Sequence, residues 1–162
     1  MTGAIRVLGI GSPFGDDRAG WEAAVLLQAR CHAGDRHRNA DVRILDRPGL
    51  LLVEQFRGAE YVILIDAACS GAPAGTIHAL DGQCLERFRP LLSSHAGGVM
   101  AAVDLARALG EYPARLQVLA IEADPANRGD RLSPAVRTAL PVLVQRIEDQ
   151  LTAWLERPSA TC

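Results

Sequence analysis

The chain has 162 residues, of which 49% are hydrophobic and 22% are charged, and its formal net charge is −2. This length and composition indicate one globular domain, and the near-neutral charge excludes a strongly basic nucleic-acid-binding surface. There is no signal-like segment at the start and no apolar run near the roughly 18 residues of a bilayer span, so we expect no membrane partner and a cytoplasmic location.

Apolar runs predict the strands. Four of them indicate buried strands, at residues 5–10, 42–45, 61–65 and 116–121. A shorter run at residues 76–80 closely follows the third strand, so we expect it to be an antiparallel edge strand.

Amphipathic patterns predict helices between the strands, at residues 17–30, 49–57 and 97–109. The last helix begins at Ser133-Pro134, an N-cap followed by the proline favoured at the first helical position. Its apolar residues recur at spacings of three and four as far as Leu155. We expect Pro141 to kink this helix.

The alternation of strands and helices predicts one α/β domain over residues 1–156, with residues 157–162 as a loose tail. We expect a three-layer αβα sandwich, in which helices cover both faces of a mostly parallel, twisted sheet of about five strands. Ligands of such sheets bind where loops leave the carboxyl ends of the strands.

Polar residues stand out at three places, two at the ends of predicted strands and one in a loop before a predicted helix. The first strand leads to Asp16 and Asp17, the third ends at Asp66, and the loop "LLSSHAGG" carries His95. Two carboxylates and one imidazole are suitable ligands for a divalent transition metal, and three side chains leave a coordination position open. We therefore expect Asp66, His95 and one or both of Asp16 and Asp17 to meet at one edge of the sheet.

Other interpretations of these residues exist. The glycines of "GIGSPFG" could form a nucleotide-binding loop, with Asp46 at the end of the second strand as a ribose ligand. Against this, Pro13 removes a backbone donor, and two aspartates would occupy the helix end that a pyrophosphate needs. The aspartates could also cap the first helix, and Asp66 could simply end a buried strand.

Four motifs in the same order resemble the hydrogenase maturation proteases, which remove the C-terminal extension of the large subunit of [NiFe]-hydrogenase. "GIGSPFGDDRAG" resembles the family's G-[IV]-G-N-x-x-x-x-D-[DE]-x-x-G, with Ser12 for the usual Asn and a loop one residue shorter. "LIDA" resembles the family's middle motif, an acid at the end of a strand, and "SSHAGG" matches the family's S-x-H-x-x-G. "EADPANRGDRLSPAV" resembles the family's last motif, which ends in L-[ST]-P-x-V. The chain departs from the family in "LDRPG", where many relatives have L-D-G-G.

The resemblance implies that Asp17, Asp66 and His95 contact nickel and that Asp16 is their neighbour. Nickel would belong to the substrate, the immature large subunit, so we expect no tightly bound cofactor. Zn²⁺ or Cd²⁺ would substitute in vitro. The implied activity is that of an endopeptidase, with Asp17 or Asp16 as general base, and metal activation of the carbonyl or of water as alternatives.

Three further residues belong to the motifs that resemble the family: Gly11, Ser12 and Gly98. We expect them to bind the substrate. Two alternatives to the protease stay open, a nucleotide-binding α/β module and a non-catalytic, nickel-dependent assembly factor for the same partner.

Overall fold

The computed structural model describes residues 4–34, 37–91 and 98–156. Its strands are β1 (Ile5–Gly11), β2 (Ala40–Asp46), β3 (Tyr61–Ala68), β4 (Ile77–Asp81) and β5 (Arg115–Glu122). They form one sheet in the order β2-β1-β3-β5-β4, in which only β4 runs antiparallel to its neighbour. The predicted strands and the antiparallel edge are confirmed.

The α-helices are α1 (Ala19–Ala33), α2 (Val99–Leu109) and α3 (Pro134–Glu156). Short 3₁₀ helices span Gly15–Arg18, Gly49–Gln55 and Leu85–Leu91. The helix predicted at 49–57 is present as the 3₁₀ helix Gly49–Gln55. The helix predicted from residue 17 begins two residues later, because the preceding turn is a 3₁₀ helix.

The start of α3 agrees with the predicted N-cap. The Ser133 hydroxyl accepts a hydrogen bond from the backbone N–H of Val136 (3.5 Å), and Pro134 is the first helical residue. The helix continues through Pro141, which has no N–H to donate to the preceding turn.

Helices cover both faces of the sheet, as the αβα prediction requires. Alternate strand residues face opposite layers, so that Leu8 and Leu64 pack towards α2 while Val7 and Ile63 pack towards α1 and α3. These four side chains are fully buried. Burial on both faces explains why the central strands read as continuous apolar runs.

β2 differs from the buried strand that its apolar run predicts, since every residue in it is partly or fully exposed. The cause is its place at the edge of the sheet, where it pairs with β1 alone.

The tail at 157–162 lies outside the described residues. No helix in the described part of the chain combines the length and the apolar character that crossing a bilayer demands.

Candidate functional site

The turn after β1 leads to the rim, which we define as the edge of the sheet where β1, β2, β3 and β5 end. The N–H of Asp17 donates to the carbonyl of Phe14 (3.1 Å), and the N–H of Ser12 donates to the carbonyl of Asp17 (3.3 Å). A Cβ on Gly11 would overlap that Asp17 carbonyl, so only glycine lets the turn fold this tightly. The glycine therefore helps to fix the position of Asp17.

Asp16 is 4% exposed and is held by the loop that precedes α3. Its Oδ1 accepts from the N–H of Ser133 (2.6 Å) and from Nδ2 of Asn127 (3.0 Å). Its Oδ2 accepts from the N–H of Asp124 (2.8 Å) and from the Ser133 hydroxyl (2.8 Å). Because both oxygens are occupied, Asp16 has a structural role, and Asp17 is the partly exposed member of the pair.

The idea that an aspartate caps α1 is wrong. The N-cap position of this helix is Arg18, and no side chain makes a capping hydrogen bond there. Asp16 and Asp17 lie one turn earlier, in the 3₁₀ helix.

Asp66 lies near the end of β3, the strand next to β1, and is half-buried. Its Oδ1 accepts a hydrogen bond from the N–H of Ala67 (2.8 Å). Burial raises the pKa of Asp66 to about 7; the Ala67 hydrogen bond opposes this rise and the negative charge of Asp17 adds to it. Two of the three predicted metal ligands thus lie within electrostatic reach of each other.

His95 lies outside the described residues, so the third predicted ligand stays a prediction. Within residues 4–34, 37–91 and 98–156, no group of three or more His, Cys, Asp or Glu side chains could hold a metal ion. Gly98, where the description resumes, is the partly exposed N-cap of α2. Gly11 and Ser12 are buried and shape the turn after β1.

The end of β2 also reaches the rim. Asp46 pairs with Arg47 through two contacts, Nε to Oδ1 at 2.7 Å and Nη2 to Oδ2 at 3.3 Å. This occupies the acid that a nucleotide site would use for ribose. The N–H groups of Ser12 and Asp17, which would bind phosphate, donate within the turn instead. These contacts argue against the nucleotide-binding alternative.

Glu122 ends β5 in a network whose role sequence reasoning missed. Its Oε1 accepts from the N–H groups of Ser70 (2.6 Å) and Gly71 (2.9 Å), and its Oε2 contacts the Ser70 hydroxyl (2.8 Å) and His78 Nε2 (3.1 Å). Burial raises the pKa of Glu122, but these hydrogen bonds outweigh it and hold the pKa below its usual value. Glu122 thereby anchors the loop after β3, close to Asp66.

Comparison with known sequences gives a consistent match. A model of the hydrogenase maturation protease family, HycI, matches residues 30–150, a range that contains Asp66 and His95 and begins after Asp17. The chain is 30% identical to the hydrogenase expression/formation protein HupD of Thiocapsa roseopersicina, over 87% of this chain and 68% of that protein. It is also 30% identical to HupM of Azotobacter chroococcum mcd 1, over 90% and 76%.

Solved structures share the fold. The hydrogenase maturating endopeptidase HybD from E. coli superposes with a TM-score of 0.76 at 20% identity, covering 95% of this chain and 93% of that one. The [NiFe] hydrogenase maturation protease HybD from Thermococcus kodakarensis gives a TM-score of 0.70 at 20% identity, covering 91% and 98%.

Proposed function

This chain belongs to the hydrogenase maturation protease family, and from that premise we propose that it removes the C-terminal extension from the nickel-loaded large subunit of a [NiFe]-hydrogenase. The observation that carries the proposal is the pair of carboxylates on neighbouring strands, with Asp17 in the turn after β1 and Asp66 near the end of β3.

Two neighbouring carboxylates repel each other, and a divalent cation between them removes that repulsion. Asp17 and Asp66, with His95 as a third ligand, make an incomplete coordination sphere. An incomplete sphere suits a metal that arrives with other ligands already attached. Nickel is therefore part of the substrate, and the partner is the immature large subunit.

Hydrolysis requires a water oxygen to add to the scissile carbonyl carbon, while the C–N bond breaks and a proton passes to the leaving nitrogen. Asp17 takes the proton from this water, because it is partly exposed at the rim while both oxygens of Asp16 are occupied. Nickel in the precursor polarises the carbonyl.

Exposed apolar side chains beside the rim fit a macromolecular substrate. Phe14 is 64% exposed in the turn after β1, and Leu51 is 67% exposed in the 3₁₀ helix after β2. Contiguous apolar groups mark protein contact surfaces, and under this proposal Phe14 and Leu51 contact the precursor. Free thiols at Cys31, Cys69 and Cys84 suit a reducing compartment, so the reaction belongs in the cytoplasm.

The isolated protein carries no tightly bound cofactor under this proposal, but it binds Ni²⁺, Zn²⁺ or Cd²⁺ at one modest site. Affinity falls as pH is lowered, because a protonated imidazole cannot bind a metal ion. Calorimetric titration measures this directly. A His95→Ala variant that bound metal as tightly as the parent would exclude His95 as a ligand.

The deciding experiment incubates the protein with a nickel-loaded large-subunit precursor and follows loss of the C-terminal peptide by mass. Asp66→Asn removes the negative charge of a proposed ligand. Asp81→Asn is the matched control, because Asp81 also accepts a hydrogen bond from a nearby backbone N–H but lies on β4, beside the start of β5. We expect cleavage by the parent and by Asp81→Asn, and none by Asp66→Asn. Binding of the precursor without cleavage by the parent would favour a non-catalytic assembly factor.

A further inference from the structure

Arg47 has an unusual backbone conformation. Its φ is 41°, and among the described residues it is the one non-glycine residue with a positive φ. This left-handed region crowds any residue that has a Cβ, whereas glycine enters it freely. The N–H of Arg47 donates to the carbonyl of Gly11 (3.0 Å), which fixes the residue against the end of β1.

The local contacts of Arg47 do not account for an arginine at this position. Its side chain is 62% exposed, and its ion-pair partner Asp46 is 53% exposed. Ion pairs between side chains this exposed contribute little to stability. The hydrogen bond to Gly11 would form equally with glycine at this position, so a strained arginine with a weak ion pair beside a functional site indicates a role in function.

The charges around Arg47 indicate what it binds. The hydrogen bond that Arg47 donates to Asp46 raises the pKa of Arg47, and the negative charges of Asp46 and Asp17 raise it further. The guanidinium is therefore within electrostatic reach of the proposed nickel-contacting pair. Asp46 offsets part of the positive charge of Arg47, while the N–H groups of Nη1 lie outside this pair and can donate to an incoming anion.

We infer that Arg47 is a specificity-determining residue that binds a carboxylate of the peptide segment that the enzyme removes. The carboxylate is either the terminal one of the precursor or an acidic side chain within its extension. A guanidinium binds a carboxylate through two parallel N–H···O bonds, and the N–H groups of Nη1 are not used by the pair with Asp46. This inference rests on the proposed function, because it presupposes that the extension lies across the rim.

The test compares Arg47→Gly with Arg57→Gly. Arg57 is a matched control because its side chain is 59% exposed, is paired with Glu111, and precedes β3 at the opposite edge of the sheet. Glycine suits the backbone of residue 47, so Arg47→Gly should fold with an unchanged or higher melting temperature. Two quantities are measured: the Kd of a fluorescent synthetic peptide with the sequence of the precursor's C-terminus, and the KM and kcat for nickel-loaded precursor.

We expect Arg47→Gly to raise both Kd and KM about tenfold, with kcat within about twofold of the parent, and Arg57→Gly to change none of them. Two modified peptides then locate the carboxylate. The first peptide has a C-terminal amide, which removes the charge of the terminal carboxylate. In the second peptide every Asp is replaced by Asn and every Glu by Gln, which removes the side-chain charges. The parent should lose affinity for one of them, while Arg47→Gly should lose none.

Parent-like Kd and KM in Arg47→Gly would overturn the inference. The inference would also be overturned if the parent and Arg47→Gly lost equal affinity for the neutralised peptides. The same holds if the parent bound both neutralised peptides as tightly as the unmodified one. Failure of the proposed function is distinguishable, because it appears as a lack of precursor cleavage by the parent while the peptide-binding arm still reports on Arg47.

Discussion

Asp16 accepts two hydrogen bonds from Ser133, one from its N–H at 2.6 Å and one from its hydroxyl at 2.8 Å, across 117 positions of the chain. These bonds join the turn after β1 to the N-cap of α3. The neighbouring Asp17 instead exerts its charge on Asp66. Two adjacent aspartates therefore have separate roles, one in stability and one at the rim.

The first prediction separates these roles. Asp16→Asn replaces Oδ2, which accepts from the N–H of Asp124, with an amide N–H₂. The amide N–H₂ and the N–H of Asp124 are both donors, so neither has an acceptor at this contact. We expect a loss of about 2–4 kcal/mol in the free energy of unfolding, measured by urea denaturation. Asp17→Asn, the control, should change it by less than about 1 kcal/mol. Equal stabilities of the two variants would contradict the structural role of Asp16.

The second prediction concerns pH. The pKa of Asp66 is raised from 3.8 to about 7, so the folded state holds a proton that the unfolded state has lost between these values. The contribution of the protonated Asp66 carboxyl to the stability of the folded state is fully present below pH 3.8 and is lost as pH rises through about 7. In metal-free buffer, Asp66→Asn should gain stability over the parent as pH rises, by up to about 4 kcal/mol above pH 7.

Urea denaturation of both proteins from pH 5 to 8 measures that difference. Asp81→Asn controls for the loss of a strand-end carboxylate. A difference between Asp66→Asn and the parent that stayed constant across this range would show that Asp66 does not have a raised pKa.

The third prediction concerns the loop after β3. Glu122→Gln replaces an oxygen that contacts Ser70 and His78 with an amide N–H₂, so we expect the loop to open more often. Hydrogen exchange at the N–H groups of Ser70 and Gly71 should become at least about tenfold faster, as loss of one buried charged hydrogen bond predicts. Glu111→Gln, in an exposed ion pair, is the control. Unchanged exchange at both amides would contradict the anchoring role of Glu122.

Much of the fold is predictable because the central strands are buried on both faces, and their apolar runs follow directly from that burial. The exposure of β2 is not predictable, since a short apolar run does not say whether its strand has one neighbour or two. The position of Asp66 near the end of β3 follows from the same runs, although the strand continues to Ala68. The division of roles between Asp16 and Asp17 depends on a loop more than 100 positions away, and no local pattern encodes it. The backbone conformation of Arg47 likewise depends on its hydrogen bond to Gly11.

The most direct measurement offers the protein metal-free and nickel-loaded large-subunit precursor in parallel and follows loss of the C-terminal peptide by mass. Because Asp17 and Asp66 form an incomplete site, cleavage should depend on nickel in the precursor and not on metal added to this protein beforehand. The account predicts cleavage of the loaded form alone, abolished in a folded Asp17→Asn variant. Equal cleavage of both precursors, or full activity of Asp17→Asn, would contradict it.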